Sequence, residues 1–216
     1  QDARVEAVAG VGVTPGARVP VTKHAERRLL ARARHVEQVA TVSILHVDAD
    51  TLLRRTRGRW DAVIVDFPDP SSPDLAKLFS LEFYQQLTHH LAPDGVVAIQ
   101  SGSPYANRSA YWSVRDTLEA AAFQVTSLHT HVPTFGEWGW HLARLDAPVG
   151  SIGPLPDGLR FVTPAVVDAA HVFPAAFDRP VGARRVSTRL DPVVMTLYRR
   201  GEVLDGPRLF PGRGRR

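Results

Sequence analysis

The chain contains no cysteine, which excludes disulfides and thiolate metal sites and leaves the redox compartment open. It has no apolar run near the roughly 20 residues that a membrane-spanning helix requires, and Gln1-Asp2-Ala3-Arg4 does not read as a signal peptide. A large surplus of one charge is missing too: 26 basic against 22 acidic residues leave a net charge of +4. The excess gathers near the ends, from Arg27-Arg28 to Arg34 and from Arg208 to Arg216. Basic ends suit anionic partners. They form no aromatic-interleaved basic motif, however, so solvated side chains explain them and nucleic acid is not expected as a partner.

What is present fits a globular protein. A length of 216 residues, with 44% hydrophobic and 22% charged, supports one well-buried domain and a small appendage. Residues 1–40 form a divergent N-terminal segment, rich in Gly, Val and Pro over 1–22 and reading as a basic helix over 25–38. Thr41 to Val47 is β-rich and leads into Asp48-Ala49-Asp50, where a short helix through Leu52-Leu53-Arg54-Arg55 begins and Gly58 breaks it. Trp60–Val65 reads as a strand. Ser80 is placed to cap a helix whose Leu81, Tyr84, Leu87 and Leu91 form one apolar stripe, stopped by Pro93-Asp94-Gly95. Val96–Gln100 is a buried strand, a helix follows from Ser109 to Ala122, and Gln124–His131 and Gly139–Arg144 read as two further strands. The near-continuous apolar content of 62–65 and 96–100 predicts a parallel sheet covered on both faces. Pro148 to Gly158 is a linker into an extension over 148–216, with a short helix near Pro164–Ala170 and a strand at Val193–Tyr198. No internal repeat is visible.

Most of the chemistry lies in Asp66-Phe67-Pro68-Asp69. The strand before it delivers two carboxylates, three residues apart, into a loop stiffened by Pro68, Pro70 and Pro73. In an open α/β sheet, ligands bind beyond the carboxyl ends of the strands. Two acids placed there can bind a cationic amine and take a proton from it. They also repel one another, so the pair favours cationic substrates. The simpler alternative is that both acids only cap a turn before Pro70.

Other polar residues are open to two readings each. Gln100, with Ser101, ends a strand facing the same crevice and either orients substrate or is an ordinary strand-end residue. Trp138 either walls an amine's methylenes and attracts its ammonium or packs within a hairpin. Glu137 is a weaker candidate for a distal ammonium. His129 and His131 share one face of a strand, but no carboxylate or third ligand is placed to complete a site, so no metal is expected.

Taken in order, Asp48-Ala49 at a strand end, the strand and loop from Trp60 to Pro73, Leu78-Phe79-Ser80-Leu81-Glu82-Phe83-Tyr84, Leu91 to Gln100, and Val132-Pro133-Thr134-Phe135-Gly136-Glu137-Trp138-Gly139 resemble the polyamine aminopropyltransferase, or spermidine synthase, family. The wording of Asp66-Phe67-Pro68-Asp69-Pro70, with Ser103-Pro104-Tyr105 and His171-Val172-Phe173-Pro174, is closest to bacterial members fused to a membrane domain. The resemblance implies an α/β, Rossmann-like fold of the class I methyltransferase type over 41–147. Its sheet would be mostly parallel, end in a C-terminal β-hairpin, and lack part of its N-terminal side. The implied reaction moves an aminopropyl group from decarboxylated S-adenosylmethionine, a co-substrate with no further cofactor, to putrescine or a related amine.

Such a transfer is an in-line attack by a primary amine on the methylene beside a sulfonium. The thioether leaves neutral, so the difficulty lies at the nucleophile, an ammonium that must lose a proton. By the family pattern Asp66 is the base and Asp69 the amine holder, with Gln100 and Trp138 on the amine side. Asp48, Ala49 and Pro73 serve the nucleoside. Asp48 is nearly as well explained as an N-cap, and Pro73 as a loop stiffener. The resemblance also implies small-molecule polyamine and nucleoside sulfonium partners, a cytoplasmic location, a membrane domain outside this chain and a homodimer.

The chain departs from the family at its start. The only counterpart of the family's Gly-rich loop is Gly10-Val11-Gly12-Val13-Thr14-Pro15-Gly16, whose third glycine falls one position late and where Pro15 intrudes; it reads as a decoy. Between it and Asp48 no apolar strand ends in Asp or Glu. The expectation is a C-terminal piece of a longer protein, or a decayed gene, with a sheet edge and apolar surface left open. Two rival functions follow. One is a non-catalytic fragment or degenerate relative acting as an interaction module. The other is an S-adenosylmethionine-dependent methyltransferase, disfavoured because two acids would repel that molecule's carboxylate.

Overall fold

The computed structural model describes residues 45–134, 136–150 and 153–201. The expected segment 1–40, the glycine run at 10–16 and the terminal arginines from Arg208 lie outside them. Of the strand expected over Thr41–Val47, the described part, Leu45–Val47, is irregular. Asp48 then opens α1 (Ala49–Arg55), its carboxylate accepting the Thr51 N–H at 3.0 Å. There follow β1 (Trp60–Val65), α2 (Pro73–Ala76), a 3-10 turn over Lys77–Phe79, α3 (Leu81–Thr88) and β2 (Leu91–Gln100). After these come α4 (Arg108–Ala120), β3 (Gln124–Val132), β4 (Gly136–Arg144), α5 (Pro164–Ala170) and α6 (Val193–Arg200). Ser80 does cap α3, accepting the Phe83 N–H at 3.3 Å.

The four strands form one open sheet in the order β1-β2-β4-β3. β1 runs parallel to β2, while β4 is antiparallel to both β2 and β3. Side chains alternate between faces along a strand, so register sorts them into rows. Val63, Val97, Ala143 and Val125 form one row; Val65, Ile99, His141 and Ser127 form the next on the same face. The helices pack onto this face. Phe83, Tyr84 and Leu87 of α3, Val114 and Leu118 of α4, and Val194 and Leu197 of α6 close a single core over it.

The opposite row is Ile64, Ala98, Leu142 and Thr126. Among the described residues no helix covers it, and Ile64 is 79% exposed. The expectation of cover on both faces is therefore corrected for the described residues. An apolar strand predicts burial only where a second layer is there to supply it.

Two further expectations are corrected. α3 ends at Thr88, so Leu91 belongs to β2, and Pro93-Asp94-Gly95 lies inside that strand. Trp60 pairs with Leu91 but Ala62 with Val96, so the intervening residues bulge out of the ladder. A glycine at 95 suits this crowded place, where a Cβ would press against the Ala92 and Trp60 carbonyls at 3.0 Å. The strand expected at Val193–Tyr198 is the helix α6. Its β-branched valines suggested a strand, but Val194 and Leu197 are buried three residues apart on one helical face. Tertiary packing overrides the local preference.

Gly139 shows how tightly α4 lies on the sheet. A Cβ there would stand 2.4 Å from the Tyr111 ring, whose hydroxyl donates to the Leu128 and Trp140 carbonyls at 3.2 Å each. Beside it His141 is fully buried. Its Nε2 lies 3.0 Å from the Tyr111 carbonyl and its Nδ1 3.0 Å from Ser127 Oγ. The carbonyl can only accept, so Nε2 carries the proton and Nδ1 accepts from Ser127. Burial pulls the imidazole pKa down to about 3, which keeps the ring neutral.

Candidate active site

β1 ends at Val65 and releases the acidic loop at the carboxyl edge of the sheet. Alternation turns successive side chains opposite ways: Asp66 is exposed, Phe67 buried and Asp69 half-buried. Phe67 pins the loop, its ring set edge-on to Phe79 at 6.2 Å and Phe83 at 5.7 Å. A tight turn follows, the Ser71 N–H donating to the Asp69 carbonyl at 2.6 Å. Ser72 then caps α2, accepting the Leu75 N–H, with Pro73 in the first turn. The Asp66 carboxylate makes no hydrogen bond or ion pair among the described residues. The Asp69 carboxylate is held, Oδ2 accepting from the Tyr198 hydroxyl at 2.9 Å. Neither acid therefore acts as a turn cap.

Gln100, at the end of β2, joins this loop to the β3–β4 hairpin. With its amide oriented to satisfy both neighbours, it donates to the Phe67 carbonyl at 3.1 Å and accepts from the Trp138 indole N–H at 2.9 Å. Ser101 and Gly102 continue the pairing, the Ser101 N–H donating to the Gly139 carbonyl and the Gly139 N–H to the Gly102 carbonyl. Asp69, Pro70, Gln100, Ser101, Gly102 and Tyr198 line a cavity of about 10 Å³, room for roughly one water. The structure thus brings Asp66, Asp69, Gln100 and Trp138 to one edge of the sheet.

The residues assigned to the nucleoside each have structural contacts of their own. Asp48 caps α1 with one oxygen and pairs through the other with the Lys77 ammonium at 3.0 Å. Burial would raise its pKa, but Lys77 and the Thr51 N–H outweigh that and hold it below the usual carboxylate value. Ala49 is part of the hydrophobic core. Pro73 opens α2 with its ring exposed.

Glu137 is committed to histidines. It lies 2.9 Å from His129 Nδ1 and 3.4 Å from His131 Nδ1. One carboxylate thus reaches both histidines as their close partner. Among the described residues, no cluster of three such side chains is arranged to hold a metal. His129 Nε2 meets the Val172 carbonyl at 2.9 Å, and its ring lies 4.6 Å from that of Phe173.

Tyr198 and Arg199 are the functional candidates that sequence reading passed over. Arg199 donates twice to the Ser71 carbonyl, at 3.1 and 3.0 Å. The signal was available: Pro192 ahead of the segment, apolar residues three apart, basic residues in the last turn and Gly201 after it spell a helix.

Comparison with known proteins finds relatives of this chain. The chain is 46% identical over 154 residues to polyamine aminopropyltransferase 1 of Streptomyces coelicolor, covering 70% of this chain and 29% of that protein. It is 42% identical over 137 residues to the polyamine aminopropyltransferase of Mycobacterium tuberculosis, covering 60% and 26%. The chain thus spans less than a third of the length of these relatives. Among solved structures, a spermidine synthase in complex with the transition state analogue AdoDATO superposes with a TM-score of 0.57, covering 70% of this chain and 54% of that one at 19% identity. Spermidine synthase from Thermotoga maritima gives 0.55 over 78% and 57%, at 17% identity. These two show that the fold is the Rossmann-like α/β fold of spermidine synthases. Residues 26–147, more than half of the chain, match the family described as the spermine/spermidine synthase domain, and the chain belongs to that family.

Proposed function

We propose that this chain carries the amine-activating part of a spermidine synthase-type site. It moves an aminopropyl group from decarboxylated S-adenosylmethionine to putrescine or a related amine. The observation that carries this reading is the exposed Asp66, unpaired among the described residues, one turn of loop away from the held Asp69 at the carboxyl edge of β1. Asp66 takes a proton from the primary ammonium. The freed nitrogen forms its bond to the methylene as the carbon–sulfur bond breaks and the electron pair returns to sulfur, leaving a neutral thioether. Asp69 holds the amine in line, and Gln100 fixes the loop against Trp138, whose indole face borders the amine's path. The names of the two relatives, and the analogue bound by one structural neighbour, support this reading.

The proposal uses decarboxylated S-adenosylmethionine as co-substrate and no other cofactor, with Asp48, Ala49 and Pro73 on the nucleoside side. The partners are small molecules. A cytoplasmic location, a membrane domain outside this chain and a homodimer remain part of the same proposal. Among the described residues no helix is long and apolar enough to cross a membrane.

The other reading is an interaction module that keeps this fold without turnover. A product assay decides between them. Incubation with decarboxylated S-adenosylmethionine and a panel of diamines is expected to release methylthioadenosine together with a longer polyamine. Asp66→Asn is expected to lower turnover by about 10²–10⁴-fold without shifting the melting temperature. Absence of both products from the unaltered chain would reject the enzymatic reading.

A further inference from the structure

We infer that Tyr198, from the C-terminal helix α6, is a positioning residue for Asp69, so that the extension beyond the sheet is a working wall of the amine site. The inference rests on the reading of Asp69 as the amine holder. Tyr198 and Asp69 are 129 positions apart, yet the phenol donates to Asp69 Oδ2 at 2.9 Å. The next residue along, Arg199, grips the Ser71 carbonyl with two hydrogen bonds. Consecutive residues of one helix therefore hold the loop at two points. The helix itself is anchored by Val194 and Leu197, which are 1% and 7% exposed in the core. The phenol thus inherits its position from core packing rather than from a mobile side chain.

The chemistry of the donor matters more than its presence. Burial and the neighbouring Asp69 carboxylate push the Tyr198 pKa up, so its hydroxyl stays neutral. None of the ion pairs among the described residues involves Asp66 or Asp69. An Arg or Lys in this place would orient Asp69 just as firmly but would cancel the charge that a substrate ammonium needs. A phenol fixes one oxygen without bringing a charge, and among the described residues Oδ1 takes no hydrogen bond, so it is left for the amine. The arrangement suits a small aliphatic diamine, whose ammonium supplies the missing countercharge.

Tyr198→Phe tests this in the full chain, since it keeps the ring and deletes one hydroxyl. The KM for the diamine is expected to rise on the order of tenfold, with kcat and the nucleoside KM within about twofold. A purely structural role would instead lower the melting temperature and degrade all constants together, overturning the inference. A double-mutant cycle supplies the second measurement: Tyr198→Phe is expected to add nothing to the diamine KM once Asp69 is Asn, because the phenol acts through that carboxylate. Independent effects would overturn it. An active unaltered chain with an unchanged diamine KM in Tyr198→Phe removes this inference and leaves the proposed function standing. An unaltered chain without turnover removes both.

Discussion

At position 66 the carboxylate faces solvent with no partner among the described residues, whereas at position 69 one oxygen is tethered to a phenol. That difference suits the two tasks of accepting a proton and holding an ammonium. A contrasting single residue is His141, which is buried, neutral and held by Ser127 and the Tyr111 carbonyl. Its pKa is pulled from 6.5 to about 3 by burial. Between those values the unfolded chain binds a proton that the folded chain refuses. The contribution of His141 is therefore complete above about pH 6.5 and is lost as pH falls toward 3, at up to about 1.4 kcal/mol per pH unit. Urea titrations at pH 7 and pH 5 should show this slope, and His141→Gln should flatten it. An equal slope in both proteins would mean that other groups carry the acid sensitivity.

Among the elements, the β3–β4 hairpin and α4 act as one unit because Tyr111 reaches across Gly139 to two strand carbonyls. Gly139→Ala should cost about 1–3 kcal/mol in denaturant unfolding through overpacking, since a ring pinned by its hydroxyl cannot swing aside. No loss would show that the ring relaxes freely. The neighbouring Trp138 and Gln100 would move with the hairpin, so turnover should fall as well. Element types were largely readable from the residues. The α3 stripe as far as Leu87, the Ser80 cap and the apolar β1 and β2 appear as their local patterns suggest. The exceptions were the bulge at Pro93-Asp94-Gly95 and α6, where a turn signal and β-branched residues pointed away from the structure adopted.

Over the whole molecule, one face of the sheet carries the core, while the Ile64–Ala98–Leu142–Thr126 row has no helix over it among the described residues. The two faces should respond to truncation very differently. Ile99→Ala, on the helix-covered face and 0% exposed, should cost about 2–5 kcal/mol. Ile64→Ala, one row away and 79% exposed, should stay within about 0.5 kcal/mol. A large loss at Ile64 would reveal that this row is covered in the folded protein.

The acid pair, the strand that presents it and the family to which it belongs were legible in the order of residues, because alternation, helical period and short motifs are local properties of a chain. How each acid is held was not. Asp69 meets Tyr198 across 129 positions, Asp48 pairs with Lys77 while capping its own helix, and Glu137 lies against two histidines. Hydrogen-bond partners are chosen by packing, which brings together groups that no spacing rule relates.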